Sequence, residues 1–385
     1  MRRNVSQQAG IAIVLCVFLH GSAAMSAETE KTSPKKTEVQ QGIAGSFKQL
    51  RERFEPELSW NATTPAEHAE WRKSFRDTVV RLLGRMPEKV PLNVVWAEKK
   101  EFELFTRHKV YIRSEAEYWV PVYYYVPHKH DEKLPAIVCL HGHSGIEPYI
   151  ASQRKESIIK STKRGQLDYA VYFAKHGYVT AAIVMRGFNE TADKQDRGVN
   201  HVTRSCLQVT MSSYLMGMTT LGLRCWDAMR VIDFLQSQEV VDPDKIGLAG
   251  LSGGGAVAMY LPVLEKRIKV AMIAGAFTAF RSTFYATPHC MCQCLPGIMQ
   301  YGEMSDIVAL CAPRPVLLIN GTGDTGFPIE DARIGYEKLK RVYSLQGVGE
   351  NVEADFFEGG HRWSNNKTLD FLAKHFQNPK SKISE

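Results

Sequence analysis

From Pro135 to Leu140 the chain is continuously apolar, and similar runs return at Val179–Met185, Ile246–Ala249, Val270–Ala274 and Pro315–Ile319. Runs of this length mark strands buried on both faces, as in a parallel sheet. Stretches of helical period separate them, at Leu167–Lys175, at Leu221–Gln238 and after Gly254, and a last strand at Val352–Phe357 precedes a closing helix at Asn366–Phe376. Such alternation predicts βαβ units and an α/β architecture: a mostly parallel sheet covered on both faces. Ahead of it, the half-apolar runs 102–105, 110–112 and 118–126 predict antiparallel strands, so the sheet is expected to be mixed. Before those strands, Gly42–Trp60 and Pro65–Leu83 read as helices. In the second, Trp71, Phe75, Val79, Leu82 and Leu83 recur at helical spacing, with Thr63 or Thr64 before Pro65 as cap.

The first residues depart from this pattern. Arg2 and Arg3 precede a nearly all-apolar run from Ala9 to Leu19, followed by small residues at Gly21, Ser22, Ala23 and Ala24. A basic start, a short apolar core and small residues form a secretory signal peptide, and the run is too short to span a membrane. The expectation is an exported chain, periplasmic or secreted, cleaved near Ala24 and without stable membrane insertion afterwards. Residues 25–41 are rich in Lys, Glu and Thr and read as a flexible linker. Residues 42–100 then form an N-terminal helical extension, 101–377 the main domain and 378–385 a polar tail. A net charge of +7 over 385 residues, with no arginine stripe interleaved with aromatics, excludes nucleic acid as an expected partner.

Export changes how the cysteines read. Cys16 leaves with the signal, so seven remain, an odd number that cannot pair fully within one chain. In the run His289-Cys290-Met291-Cys292-Gln293-Cys294 the cysteines are separated by single residues, and no second ligand pair stands at zinc-finger spacing. The run reads as a loop or lid held by packing or by one disulfide. Neither a metal nor a cofactor is expected.

The sharpest chemical signal is Gly250-Leu251-Ser252-Gly253-Gly254, between a predicted strand and a predicted helix. A G-x-S-x-G there forms a tight turn that exposes the serine above the sheet, and side chains at Gly250 or Gly254 would collide with the neighbouring strand and helix. A serine hydroxyl needs a base to accept its proton. His361, in Gly359-Gly360-His361 after the last strand, is the candidate. Asp324, in the loop after the strand ending at Asn320, is the candidate to orient the imidazole; Glu330 and Asp331 are the runners-up, at the start of a predicted helix. The loop His141-Gly142-His143-Ser144-Gly145 follows another strand. It is expected to offer a backbone N–H at His143 to an oxyanion, beside the N–H of Gly253. His141 is expected to make a structural hydrogen bond within that turn.

Taken together, His-Gly-x-x-Gly, Gly-x-Ser-x-Gly, Gly-x-x-Asp and Gly-Gly-His, in that order, resemble the α/β-hydrolase superfamily. Met185-Arg186-Gly187, Trp226-Asp227-Ala228 and Ala312-Pro313-Arg314-Pro315 are similar to its bacterial acetylxylan esterase and dienelactone-hydrolase-like branch. The likeness spans about Val110 to Phe376 and leaves out the helical N-terminal part. Dienelactone hydrolases use a cysteine nucleophile where this chain has Ser252, which turns the expectation from lactone opening to ester hydrolysis. The resemblance implies a serine esterase acting on a small-molecule or polysaccharide ester, with acetyl groups on plant polysaccharide favoured. Arg186, Trp363 and the segment from Phe284 to Tyr301 are candidate pocket walls or plain packing. The competing expectations are a prolyl-oligopeptidase-like peptidase, for which the N-terminal part is too short to hold a propeller, and a non-catalytic binding protein on the same scaffold.

Overall fold

The computed structural model describes residues 43–150, 156–193, 204–287 and 289–376. The expected signal peptide, linker and polar tail lie outside the described residues. Two compact units divide the chain, Met1–Ser46 and Phe47–Glu385. Of the first, only residues 43–46 are described, as the opening turn of helix α1 (Ile43–Glu52).

The second unit is built on a sheet that comprises, among the described residues, β1 (Val95–Glu101), β2 (Phe105–Glu115), β3 (Tyr118–Pro127), β4 (Leu134–Leu140), β5 (Val179–Ile183), β6 (Val241–Leu251), β7 (Ile268–Ala274), β8 (Val316–Gly321) and β9 (Val352–Phe357). Its order is β1-β2-β3-β5-β4-β6-β7-β8-β9. The pairs from β1 through β3 to β5 are antiparallel and those from β5 and β4 across to β9 are parallel, as the two kinds of apolar pattern predict. Further helices are α2 (Pro65–Leu83), α3 (Glu156–Gly165), α4 (Tyr169–Lys175), α5 (Cys206–Leu215), α6 (Thr220–Gln236), α7 (Gly253–Leu264), α8 (Phe280–Ala286), α9 (Met304–Ala309), α10 (Ile329–Leu345) and α11 (Thr368–Phe376). Two buried clusters form the core, one led by α2, α6 and α7 and the other by α4 and α11.

Local chemistry explains the elements. Thr64 caps α2 in a reciprocal capping box with Glu67, Pro65 occupies its first turn, and Trp71, Phe75, Val79 and Leu83 bury one face. Every residue of β5 is buried, and every residue of β4 but the first, so these strands lack a polar face to alternate. β1 behaves in the opposite way: all seven of its residues are exposed at the sheet edge. It lies inside the segment expected to be a helical extension, and the strand expected at Phe102–Phe105 is instead the approach to β2. An edge strand with no buried face carries no alternation to read.

The topology places the site. β4 lies between β5 and β6, so the loops leaving the carboxyl ends of β4 and β6 diverge. Open α/β sheets form their ligand crevice where neighbouring strands part in this way. The His141–Gly145 loop leaves β4 there, and the Ser252 turn leaves β6.

Candidate active site

Ser252 stands between β6 and α7 with φ 58° and ψ −117°. A positive φ in a non-glycine residue costs about 1–3 kcal/mol and persists only where the surroundings enforce it. Here the Ser252 N–H donates to the Ala274 carbonyl (2.9 Å) and its own carbonyl accepts from the Ala256 N–H (2.8 Å). The flanking glycines are sterically required. A Cβ on Gly250 would strike the Gly254 carbonyl, and one on Gly254 would strike the Leu140 carbonyl at the end of β4. Serine is thus held at the N-terminus of α7, where unsatisfied N–H groups favour developing negative charge.

His361 and Asp324 arrive from the loops after β9 and β8. Nδ1 of His361 lies 2.6 Å from Oδ2 of Asp324. The other carboxylate oxygen accepts from the N–H groups of Gly326 (2.9 Å) and Phe327 (3.3 Å), so the acid is fixed at both ends. The Asp324 side chain is 2% exposed and the His361 side chain 40%, which shields the acid and leaves the imidazole facing solvent. Phe327 stacks on the ring (centroids 5.5 Å, planes 12° apart). Gly275, at φ 50°, supplies a requirement that motif reading missed: a Cβ there would press on the His361 ring at 3.0 Å. Glu330 and Asp331 lie in the first turn of α10, at the usual place for acids.

Ser252 and His361 both line two hollows, of about 520 and 530 Å³. His143 also belongs to both. The first is completed by Tyr149, Arg164, Leu167 and Arg362, the second by Arg204, His289, Cys290, Gln293, Asp324 and Phe327. A larger hollow of about 820 Å³ beside β1 and β2, lined by Arg107 and Tyr125 among others, contains none of the three residues and lies away from this chemistry. Arg204 carries no sequence signal, because only the tertiary fold brings it here.

The β4 loop divides its two histidines between roles. Nδ1 of His141 donates to the Gly142 carbonyl (2.7 Å) while Nε2 accepts from the Met185 N–H (3.0 Å), a pairing that fixes the tautomer. Burial pushes its pKa down to about 3. The His143 ring instead packs over Gly253, where a Cβ would meet it at 2.9 Å. Its Nε2 lies 3.3 Å from the Sγ of Cys292. Burial works against its charged form, yet the Cys290 and Cys292 sulfurs outweigh this and raise it to about 9.

Other candidates resolve as structure. Arg186 binds Asp227 (2.8 Å) and Glu115 (2.5 Å) and lies over the Tyr118 ring, so the Met185-Arg186-Gly187 and Trp226-Asp227 motifs meet in one partly buried ion cluster. Trp363 is fully buried, stacked on Tyr169 at 4.1 Å. Part of the Phe284–Tyr301 segment does reach the site, through His289, Cys290 and Gln293.

The abhydrolase family model matches residues 32–372. The protein named "Putative hydrolase YtaP" from Bacillus subtilis is 25% identical over 293 residues, which cover 75% of this chain and 94% of that protein. Among solved structures, a protein described as a putative acetyl xylan esterase from Bacteroides fragilis superposes with a TM-score of 0.69 at 18% identity, covering 84% of each chain. A glucuronoyl esterase from Solibacter usitatus superposes with a TM-score of 0.61 at 16% identity, over 83% of this chain and 97% of that one.

Proposed function

Because the chain belongs to the abhydrolase family, we propose that it is an exported serine hydrolase of carboxylic esters, with Ser252 as nucleophile, His361 as base and Asp324 as orienting acid. One observation carries the reading: the strained Ser252 turn opens onto hollows shared with His361, whose far nitrogen is held by buried Asp324 at 2.6 Å. In this mechanism Ser252 Oγ attacks the acyl carbon as its proton passes to Nε2 of His361. Asp324 stabilises the imidazolium without taking the proton. The N–H groups of Gly253 and His143 receive the oxyanion. The imidazolium protonates the departing alcohol; His361 then activates water, which releases the acid and regenerates Ser252.

Lining chemistry supports the substrate class. Arg164, Arg204, Arg362, His289 and Gln293 bring polar groups to the two hollows, which suits a short acyl group on a polar, sugar-like alcohol. The acetyl xylan esterase and glucuronoyl esterase named above fit that direction, and acetylated plant polysaccharide is the favoured substrate.

The test is hydrolysis of p-nitrophenyl acetate and of acetylated xylan by the mature protein, beside Ser252→Ala. Both substrates should be turned over, with kcat lowered in the variant by roughly 10⁴–10⁶-fold. Turnover of the small ester alone would keep the mechanism and discard the polysaccharide. Undiminished turnover by Ser252→Ala would sink the assignment, and an inactive wild type would favour the peptidase or binding-protein alternative.

A further inference from the structure

Beside the hollow at Ser252, whose lining includes His143 and Cys290, four metal-ligating side chains converge from three distant parts of the chain. Nε2 or Nδ1 of His143 and the Sγ atoms of Cys206, Cys290 and Cys292 all lie within 4.8 Å of one another. His143 comes from the loop after β4, Cys206 from the first turn of α5, Cys290 from the position before the short turn Met291–Gln293, and Cys292 from within that turn. The objection raised by spacing, that Cys290 and Cys292 lack a second ligand pair, applies along the sequence and does not hold in space. All described cysteines are free thiols.

We propose that His143, Cys206, Cys290 and Cys292 bind a structural zinc ion. Three sulfurs and one imidazole are a closed tetrahedral set for this metal. Zn–S bonds of about 2.3 Å and a Zn–N bond of about 2.0 Å give tetrahedron edges of roughly 3.5–3.8 Å. The His143–Cys292 edge is 3.3 Å and every other edge lies within 4.8 Å, so the four groups would close by about 1 Å at most to hold the ion.

A second, independent observation is Arg224, 1% exposed in α6. A buried guanidinium needs negative charge beside it. Among the described residues, its hydrogen bonds go to the Arg186 carbonyl (2.9 and 3.2 Å), to Cys292 Sγ (3.1 Å) and to Cys206 Sγ (3.9 Å), and to no carboxylate. Three thiolates and a divalent cation sum to one negative charge, which Arg224 matches. Its bond to Cys292 is the outer-shell contact that orients a ligand and tunes its basicity. A disulfide between Cys206 and Cys292 would neutralise both sulfurs that Arg224 contacts. The ion would tie α5 to the His143 loop and to the 289–294 segment, and the latter two supply His143, His289, Cys290 and Gln293 to the lining of the hollow at Ser252. Ester turnover is not needed to detect it, so the zinc reading and the esterase reading fail separately.

The experiment is metal analysis of the full-length mature protein, purified without chelator, followed by replacement of the bound ion with Co²⁺. About one zinc per chain is expected, and a cobalt spectrum with intense sulfur-to-metal charge transfer and tetrahedral ligand-field bands. Cys292→Ser should lose or strongly weaken both signals, whereas Cys294→Ser, outside the cluster, should keep them. If Cys292→Ser does not fold, the wild-type cobalt spectrum still decides. Protein with titratable thiols that neither retains zinc nor gives the cobalt bands would overturn the proposal. So would peptide mapping that finds a disulfide among Cys206, Cys290 and Cys292 in the active protein.

Discussion

The serine side of the site and the sulfur side at the His143 loop are built in opposite ways. Ser252 is held by backbone crowding: five consecutive residues, two glycines without room for a Cβ, and one strand-to-helix turn. The cluster at His143 is held by polar contacts among side chains that start 63, 84 and 2 positions apart in sequence order, from 143 to 206, 290 and 292. Backbone crowding against the ends of β4 and β7 enforces a strained conformation that a five-residue motif already signals. Side-chain contacts reach the same rigidity only after the sheet, α5 and the 289–294 segment have assembled. One imidazole ring, packed on Gly253 and facing Cys292, joins the two.

The largest expected effect separates them by chemistry. Asp324→Asn keeps the shape but removes the charge that orients His361, and it should lower kcat on p-nitrophenyl acetate by about 10³–10⁴-fold. Metal content and melting temperature should stay near wild type; a loss of bound metal in this variant would show that the two sides are not independent. Next comes Gly254→Ala, which forces a methyl group into the Leu140 carbonyl. It should cost about 3 kcal/mol or more in denaturant unfolding, and a cost below 1 kcal/mol would show that the turn is not held by crowding.

The smallest effect concerns His141, which sits beside both regions. Its folded pKa is about 3, against about 6.5 in an unfolded chain. Between these values the unfolded chain binds more protons at this site, so the site's effect on stability is absent above pH 6.5 and becomes increasingly unfavourable as the pH falls towards 3. The slope is bounded at about 1.4 kcal/mol per pH unit. His141→Gln should therefore show a shallower loss of stability from pH 6.5 to 4 than the wild type. Equal slopes in the two proteins would mean that His141 is not held neutral.

Legibility followed the same division. The α/β architecture was readable because β4 to β8 carry continuous apolar runs, a signal that survives without neighbours. Ser252 stood out through the glycines that its turn demands, and His361 and Asp324 through their places after the last strands; the structure brings those two within 2.6 Å. What escaped depends on contact across the chain. Gly275 makes room for an imidazole 86 positions away, and Arg204, two residues before α5, lines a hollow whose other walls lie far from it in sequence. Cys206 gave no hint of Cys290 and Cys292, because ligand spacing along a chain records metal sites only when one local segment supplies the ligands.

β1 has a consequence of a different kind. Its outer edge offers unpaired backbone groups to any extended segment that approaches, the usual route to edge-to-edge aggregation. Val95 and Trp96, both about half exposed, would add to the attraction. After Ala97 come Glu98, Lys99, Lys100 and Glu101, with Lys99 paired to Glu101 at 2.8 Å and Glu98 to Arg107 at 3.0 Å. A second copy docking there would have to strip water from four consecutive charges, so this strand's charge pattern guards the protein's solubility at high concentration.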